Sequence, residues 1–267
     1  MQIEELRVIY DQDQRFDVVY PDTRREVVDG ILVRHVQTSG RRLGWILYSH
    51  LAAGNVDAVI DQQLAYFRNI VPEFEWKVYS HDQPPDLIER LVARGFEARE
   101  PADAIMVLDM QALPDALNQP VPGTIRRITD PDEIPVTVTV LTDVWKEDFT
   151  PLGEELAAQM RQTPDVLDLY AAFVDGKPVS VAWGQYAPDS QFVGLWGGST
   201  LPDYRKQGFY TGLLAARARE AQARGRRFLT VDASPMSRPI LERFGFVNIA
   251  MATACIWKQN SPLPIVP

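Results

Sequence analysis

Between Gly194 and Phe246 the chain runs from a short strand into a basic, glycine-bearing turn, Pro202-Asp203-Tyr204-Arg205-Lys206-Gln207-Gly208-Phe209-Tyr210, and straight on into an amphipathic helix. This order constrains the fold more than any other stretch. A helix N-terminus presents unpaired N–H groups and the positive end of its macrodipole. With no side chain at Gly208, such a turn can hold a pyrophosphate against that backbone.

The local charge agrees. From Arg205 to Arg227 there are seven Lys or Arg and one acid, Glu220, a balance of +6 inside a chain of formal charge -9. Arg217, Arg219, Arg224, Arg226 and Arg227 read as a solvated helix face, whereas Arg205 and Lys206 lie in the turn itself. A pI near 4.9 argues against general nucleic-acid binding, since neutralising phosphates needs extended positive charge. No apolar run approaches the roughly 20 residues that cross a bilayer, no membrane partner is expected, and Met1 to Leu6 lacks a secretory start. The expected location is the cytoplasm. Cys255 lies in an alternating apolar run and reads as a buried strand position, and His35, His50 and His81 are spaced too widely for a metal pair, so no metal is expected.

Residues 113–123 carry three prolines and a glycine and are expected to be a linker, and residues 259–267 an extended tail. After the linker the pattern predicts a strand over Ile125–Ile128, helical segments over Pro131–Phe149 and Leu152–Met160, and a hairpin around Asp175-Gly176-Lys177-Pro178. A strand over Phe192–Leu201, a helix over Gly208–Ala223 and a short strand over Phe228–Val231 follow. A brief helix then begins near Ser237 and ends at Gly245 in the left-handed region, and Val247–Ala250 and Thr253–Trp257 form an alternating pair.

The first half holds a degenerate copy of this ending. At an offset of 150, residues 81–96 match 231–246 at Asp82/Asp232, Pro85/Pro235, Leu91/Leu241, Gly95/Gly245 and Phe96/Phe246. Helices over Asp57–Asn69 and Asp86–Arg94 alternate with strands over Trp76–Tyr79 and Ile105–Asp109 in the same order. The basic turn is missing there: Leu51 to Asn55 has no Arg or Lys.

The second half resembles the GNAT superfamily of N-acetyltransferases over about Thr124 to Lys258. Its signature, Arg or Gln, two residues, Gly, one residue, Gly or Ala, corresponds to Arg205 through Tyr210, with Tyr210 in place of the last small residue. The family's closing helix and Gly-Phe correspond to Leu241 through Phe246. The resemblance implies an α/β (α+β) chain of two GNAT-like domains, each a mixed, mostly antiparallel sheet flanked by helices. Residues 1–112 would be a degenerate copy, and 124–258 the acetyl-CoA-binding one.

It also implies acetyl-CoA as co-substrate and a small-molecule or peptide amine as acceptor, attacking the thioester directly. By position, Ser199, Thr200 and Leu201 would pair with the pantetheine arm. The N–H groups of Gln207, Gly208, Phe209, Tyr210 and Thr211 would hold the pyrophosphate, with Arg205 or Lys206 adding charge. Gly197 and Gly198 are either flexible spacers or permit a bulge beside a ligand.

The chemical step is less determined. The position of the tyrosine that protonates the leaving thiolate in many relatives is Leu241, which has no proton to give. Ser234 and Ser237 can bind pantetheine or relay a proton through water, or simply cap the next helix. Asp232 can take a proton from the amine, or start a turn as Asp82 does. Trp145, Glu147 and Asp148 suit a groove for a cationic amine, or a solvated face. The leading expectation is an N-acetyltransferase; the alternative is a non-catalytic acyl-CoA sensor or interaction module.

Overall fold

The computed structural model of the protein describes residues 1–38, 40–118 and 124–259. Most of the expected tail and residues 119–123 of the expected linker lie outside them. Two compact units form: Met1–Met106 with Asp232–Pro239 and the described residues from Asn248 to Gln259, and Val107–Val231 with Ile240–Val247.

In chain order the elements are α1 (Ile3–Tyr10), β1 (Thr23–Val28), β2 (Leu32–Gln37), β3 (Gly44–Ser49), α2 (Val56–Phe67), β4 (Glu73–Tyr79), α3 (Leu87–Val92), β5 (Glu97–Ala98) and β6 (Asp103–Asp109). There follow α4 (Asp115–Asn118), β7 (Ile125–Ile128), α5 (Ile134–Trp145), α6 (Thr150–Gln162), β8 (Leu167–Val174), β9 (Lys177–Gln185), β10 (Phe192–Thr200), α7 (Phe209–Ala223), β11 (Phe228–Ala233), α8 (Arg238–Arg243) and β12 (Val247–Lys258). The chain passes from the first unit to the second within β6.

In the first unit β1 and β2 make a hairpin with a three-residue connection, Asp29-Gly30-Ile31, in which Asp29 and Gly30 have φ of 51° and 72° and Ile31 N donates to Val28 O at 3.0 Å. β3 adds antiparallel to β2, and β4 pairs parallel to β3 at only three positions, Gly44–Ile46 against Phe74–Trp76. β12 then joins β4 antiparallel through seven residue pairs. The helical spacing of Val56, Val59, Ile60, Leu64 and Phe67 buries α2 against this sheet, with Phe67 stacked on Phe74 at 4.2 Å. The same core contains Cys255 and Trp257 from the last strand.

The second unit repeats the plan. β8 and β9 form a hairpin around Asp175-Gly176, with φ of 50° and 76°. β7 flanks β8, β10 flanks β9, and β11 pairs parallel to β10. Alternation along β8 and β9 sends Leu169, Ala171, Val181 and Trp183 to a core under α5 and α6 and Ala172 and Ala182 to one under α7, which Val179 joins because the β8–β9 register shifts at that residue. The repeated ending is identical in its bonds. Phe96 N donates to Leu91 O and Phe246 N to Leu241 O, both at 3.2 Å, after glycines with φ of 89° and 81°.

Three expectations need correction. Residues 247–258 are one continuous strand, because Met251-Ala252 supplies no turn residue between the two apolar runs. Arg217 is 2 % exposed and is no part of a solvated face. The first 50 residues, for which the periodicity predicts nothing, form α1, a π-helical turn over Asp11–Asp17 and three strands.

Candidate functional site

β10 runs beside β11 for three residue pairs, Phe192 to Gly194 against Phe228 to Thr230, and then the strands part. β10 remains paired to β9 as far as Thr200, so beyond Gly194 its other edge has no strand beside it in β11. A backbone edge of this kind can accept an extended, amide-bearing ligand as a further strand.

A bulge between Trp196 and Ser199 shapes that edge. Gly197 has φ of +65°, and a Cβ built on it would fall 1.7 Å from the Trp183 ring; one on Gly198 would fall 3.2 Å from the ring of Tyr210. Both glycines therefore serve close approach, not flexibility. Past the bulge the Ser180 hydroxyl donates to the Ser199 carbonyl at 2.8 Å and lies 2.7 Å from Thr200 Oγ1, while Leu201 N donates to Val179 O at 2.9 Å. The Trp145 indole N–H reaches across from the end of α5 to Ser199 Oγ at 3.1 Å.

The turn follows directly. Arg205 is braced by its Nε on the Thr200 carbonyl at 3.2 Å, Lys206 has φ of +62°, and the Gln207 amide donates to Asp203 O at 3.0 Å. Gly208 is the N-cap of α7 with φ of +86°, and space within 4 Å of where its Cβ would stand is empty. No side chain caps α7 and no acid sits in its first turn, so the N–H groups of Phe209, Tyr210 and Thr211 have no helical acceptor. Arg205, Lys206, Gln207 and Gly208 are exposed. Cationic side chains beside free N–H donors at a helix start make a site for anionic oxygens.

Behind the turn lies a buried polar network that the sequence pattern does not show. Arg217 donates to Leu213 O at 3.1 Å and to Trp183 O at 3.3 Å. Asp168, 0 % exposed, accepts from Gly184 N at 2.7 Å and the Tyr186 hydroxyl at 2.6 Å. Burial pushes its carboxyl up to about 6, against the Tyr186 hydrogen bond and the charge of Arg217.

The candidates for chemistry fall in several places. Asp148 accepts the Thr150 N–H at 2.9 Å at the start of α6, and hydrogen bonds from Thr150 hold its carboxyl below the usual range. Asp232 belongs to the first unit and is ion-paired with Lys77. Ser234 and Ser237, in the same segment, bond each other: Ser237 Oγ donates to Ser234 O at 3.2 Å, just before α8. Leu241 is 1 % exposed in apolar packing. Sequence reasoning overlooks Ser180, Trp183 and Thr230. The Thr230 hydroxyl, at the last pair before β10 and β11 part, is buried without a hydrogen-bond partner among the described residues. Only strand register reveals these positions. Among the described residues no cluster of three or more His, Cys, Asp or Glu is placed to hold a metal ion, and no helix is long and apolar enough to cross a membrane.

Residues 137–246 match the model of the acetyltransferase (GNAT) family. The fold is similar to that of a GCN5-related N-acetyltransferase from Kribbella flavida, at a TM-score of 0.63 and 18% identity, covering 96% of this chain and 95% of the other. It is also similar to a conserved protein of unknown function from Staphylococcus epidermidis, at a TM-score of 0.61 and 12% identity over 90% of this chain and 96% of the other. A tandem GNAT protein of the clavulanic acid biosynthesis pathway gives a TM-score of 0.59 at 13% identity, over 92% and 86%. No curated protein sequence matches.

Proposed function

We propose, from the match of residues 137–246 to the acetyltransferase (GNAT) family and from the plan that the two units share, that the first unit is a degenerate copy of the fold and that the protein moves an acetyl group from acetyl-CoA to a primary amine. The observation that carries the donor assignment is the uncapped start of α7 at Gly208, beside Arg205 and Lys206. Gln207 through Thr211 would hold the pyrophosphate, and the free edge of β10 at Ser199, Thr200 and Leu201 would pair with the amides of the pantetheine arm. The domain division expected from the sequence, a copy without the turn before the linker and a donor-binding copy after it, belongs to this proposal.

In the reaction the amine nitrogen attacks the thioester carbon to form the C–N bond, the C–S bond breaks, CoA leaves as thiolate and takes a proton from water, and the nitrogen gives up its proton to water. Positioning supplies much of the rate, and a thiol with a pKa of about 8.5 needs little protonation on leaving. That suits a site with Leu241 where a proton donor is expected. The buried Leu241, with Asp148 bound to Thr150 and Asp232 to Lys77, also favours a second reading in which the domain binds acyl-CoA without turnover.

Calorimetry with acetyl-CoA and CoA tests the donor site, and absence of binding to either sinks both readings. Release of free CoA with a panel of polyamines, aminoglycosides and peptide N-termini separates them, because a sensor gives none above hydrolysis. Gly208→Trp should weaken CoA binding by about tenfold or more with the circular dichroism unchanged. Wild-type affinity in that variant would place the phosphates elsewhere.

A further inference from the structure

The first unit has the same parting of strands as the second, and it is already filled. β3 and β4 pair for three residues and diverge after Ile46 and Trp76, as β10 and β11 diverge after Gly194 and Thr230. β3 also carries a bulge just there: Val33 faces Tyr48 and Arg34 faces Ile46, which leaves Leu47 as the extra residue. Into this gap the π-helical turn Asp11–Asp17 sends Arg15, 1 % exposed.

The side chain satisfies both strands. Arg15 Nε donates to the Leu47 carbonyl at 2.9 Å. Its Nη2 donates to both oxygens of Asp82, at 2.7 and 2.9 Å, and Asp82 in turn accepts the Tyr79 N–H at the end of β4 at 2.9 Å. Nη1 donates to Asp11 Oδ1 at 2.9 Å and lies 3.1 Å from His81 Nε2. The guanidinium carbon stands 3.9 Å from the Tyr79 ring centroid and 5.5 Å from that of Tyr48. Two carboxylates, a bulged carbonyl and two aromatic faces make a complete guanidinium socket.

We propose that Arg15 is an internal occupant of the strand split in the first unit, taking the place that the pantetheine arm takes in the second, so that the chain binds one CoA and not two. The stoichiometry rests on the donor site proposed for the second unit; the socket does not. A parted pair of strands leaves buried backbone groups that need partners. In the first unit the chain provides them itself, through Arg15 at the Leu47 carbonyl and Asp82 at the Tyr79 N–H.

Calorimetry of the full chain with CoA should give one site, and a second saturable site overturns the proposal. No site at all removes the CoA reading of the second unit and leaves the socket to the next measurement. Arg15→Ala should lower Tm by about 10 °C, since it strands a buried carboxylate. Millimolar ethylguanidinium should restore part of that loss, and ethylammonium at equal ionic strength should restore none. Equal recovery with both, or none with either, overturns the socket. If Arg15→Ala does not fold unaided, refolding with ethylguanidinium reads the same question: recovery of folded chain with that cation alone supports the socket, and failure overturns it.

Discussion

Gly197 has no room for a side chain, since its φ of +65° is left-handed and a Cβ would collide with Trp183 at 1.7 Å. Gly197→Ala should therefore cost about 2–5 kcal/mol, combining backbone strain with overpacking. Urea unfolding checks this, and a loss under about 1 kcal/mol would mean that the bulge relaxes freely. His35 poses the opposite problem. It is fully buried, both ring nitrogens lack partners among the described residues, and burial together with the charge of Arg25 pulls its pKa down to about 4 from 6.5. The unfolded chain takes up a proton below pH 6.5 that the folded chain refuses until about pH 4. Stability is thus fully present above pH 6.5 and falls on acidification toward pH 4, by roughly 3 kcal/mol for this one group. His35→Phe should flatten that slope, and an unchanged slope would assign it to other groups. Residues of this kind differ in how far a sequence reveals them. Gly208 is legible because its role is local, a positive φ between basic residues and a helix. Arg15 is not, because its partners Leu47 and Asp82 lie 32 and 67 residues away.

At the scale of elements, α7 shows what periodicity reads and what it omits. Its apolar stripe and its start at the basic turn follow from spacing and turn chemistry, but its burial is wider than the stripe and takes in Arg217. A buried arginine looks like a solvated one in sequence; only the carbonyls of Leu213 and Trp183 and the charge of Asp168 distinguish them. Arg217→Met should destabilise by about 1–3 kcal/mol, and more at pH 8 than at pH 5. The sign follows from Asp168: with its folded pKa raised to about 6 from 3.8, its contribution is present below 3.8 and lost as pH rises through 6. Without the arginine the carboxylate is harder to ionise, so the loss continues to higher pH. Equal destabilisation at both pH values would show that the two groups are not coupled. The same limit explains β1 to β3, which short strands leave faint in the pattern, although Asp29-Gly30 opens a three-residue connection there with the same positive φ angles as the two-residue Asp175-Gly176 turn.

On the scale of the whole molecule, the repeat of hairpin, bulged strand, helix, parallel strand and Gly-Phe ending is legible in the second half and only partly in the first. Which strand the final strand pairs with is not legible, because an alternating apolar strand suits any neighbour of matching register. The structure assigns Val247–Lys258 from Asn248 onward to the first unit, where Cys255 and Trp257 enter the core and seven residues pair with β4. The first unit is therefore not encoded by the first half alone. A fragment ending at residue 112 should lack a cooperative thermal transition and expose the apolar edge of β4 to aggregation. Trp257→Ala in the full chain should cost about 3–5 kcal/mol, felt first in the first unit. Its probe is hydrogen exchange of β4 and α2, which should lose protection before the amides of β8 and β9. Uniform loss across both units would mean that they unfold as one, and a cooperatively folding 112-residue fragment would mean that the last strand adds little to the core it enters.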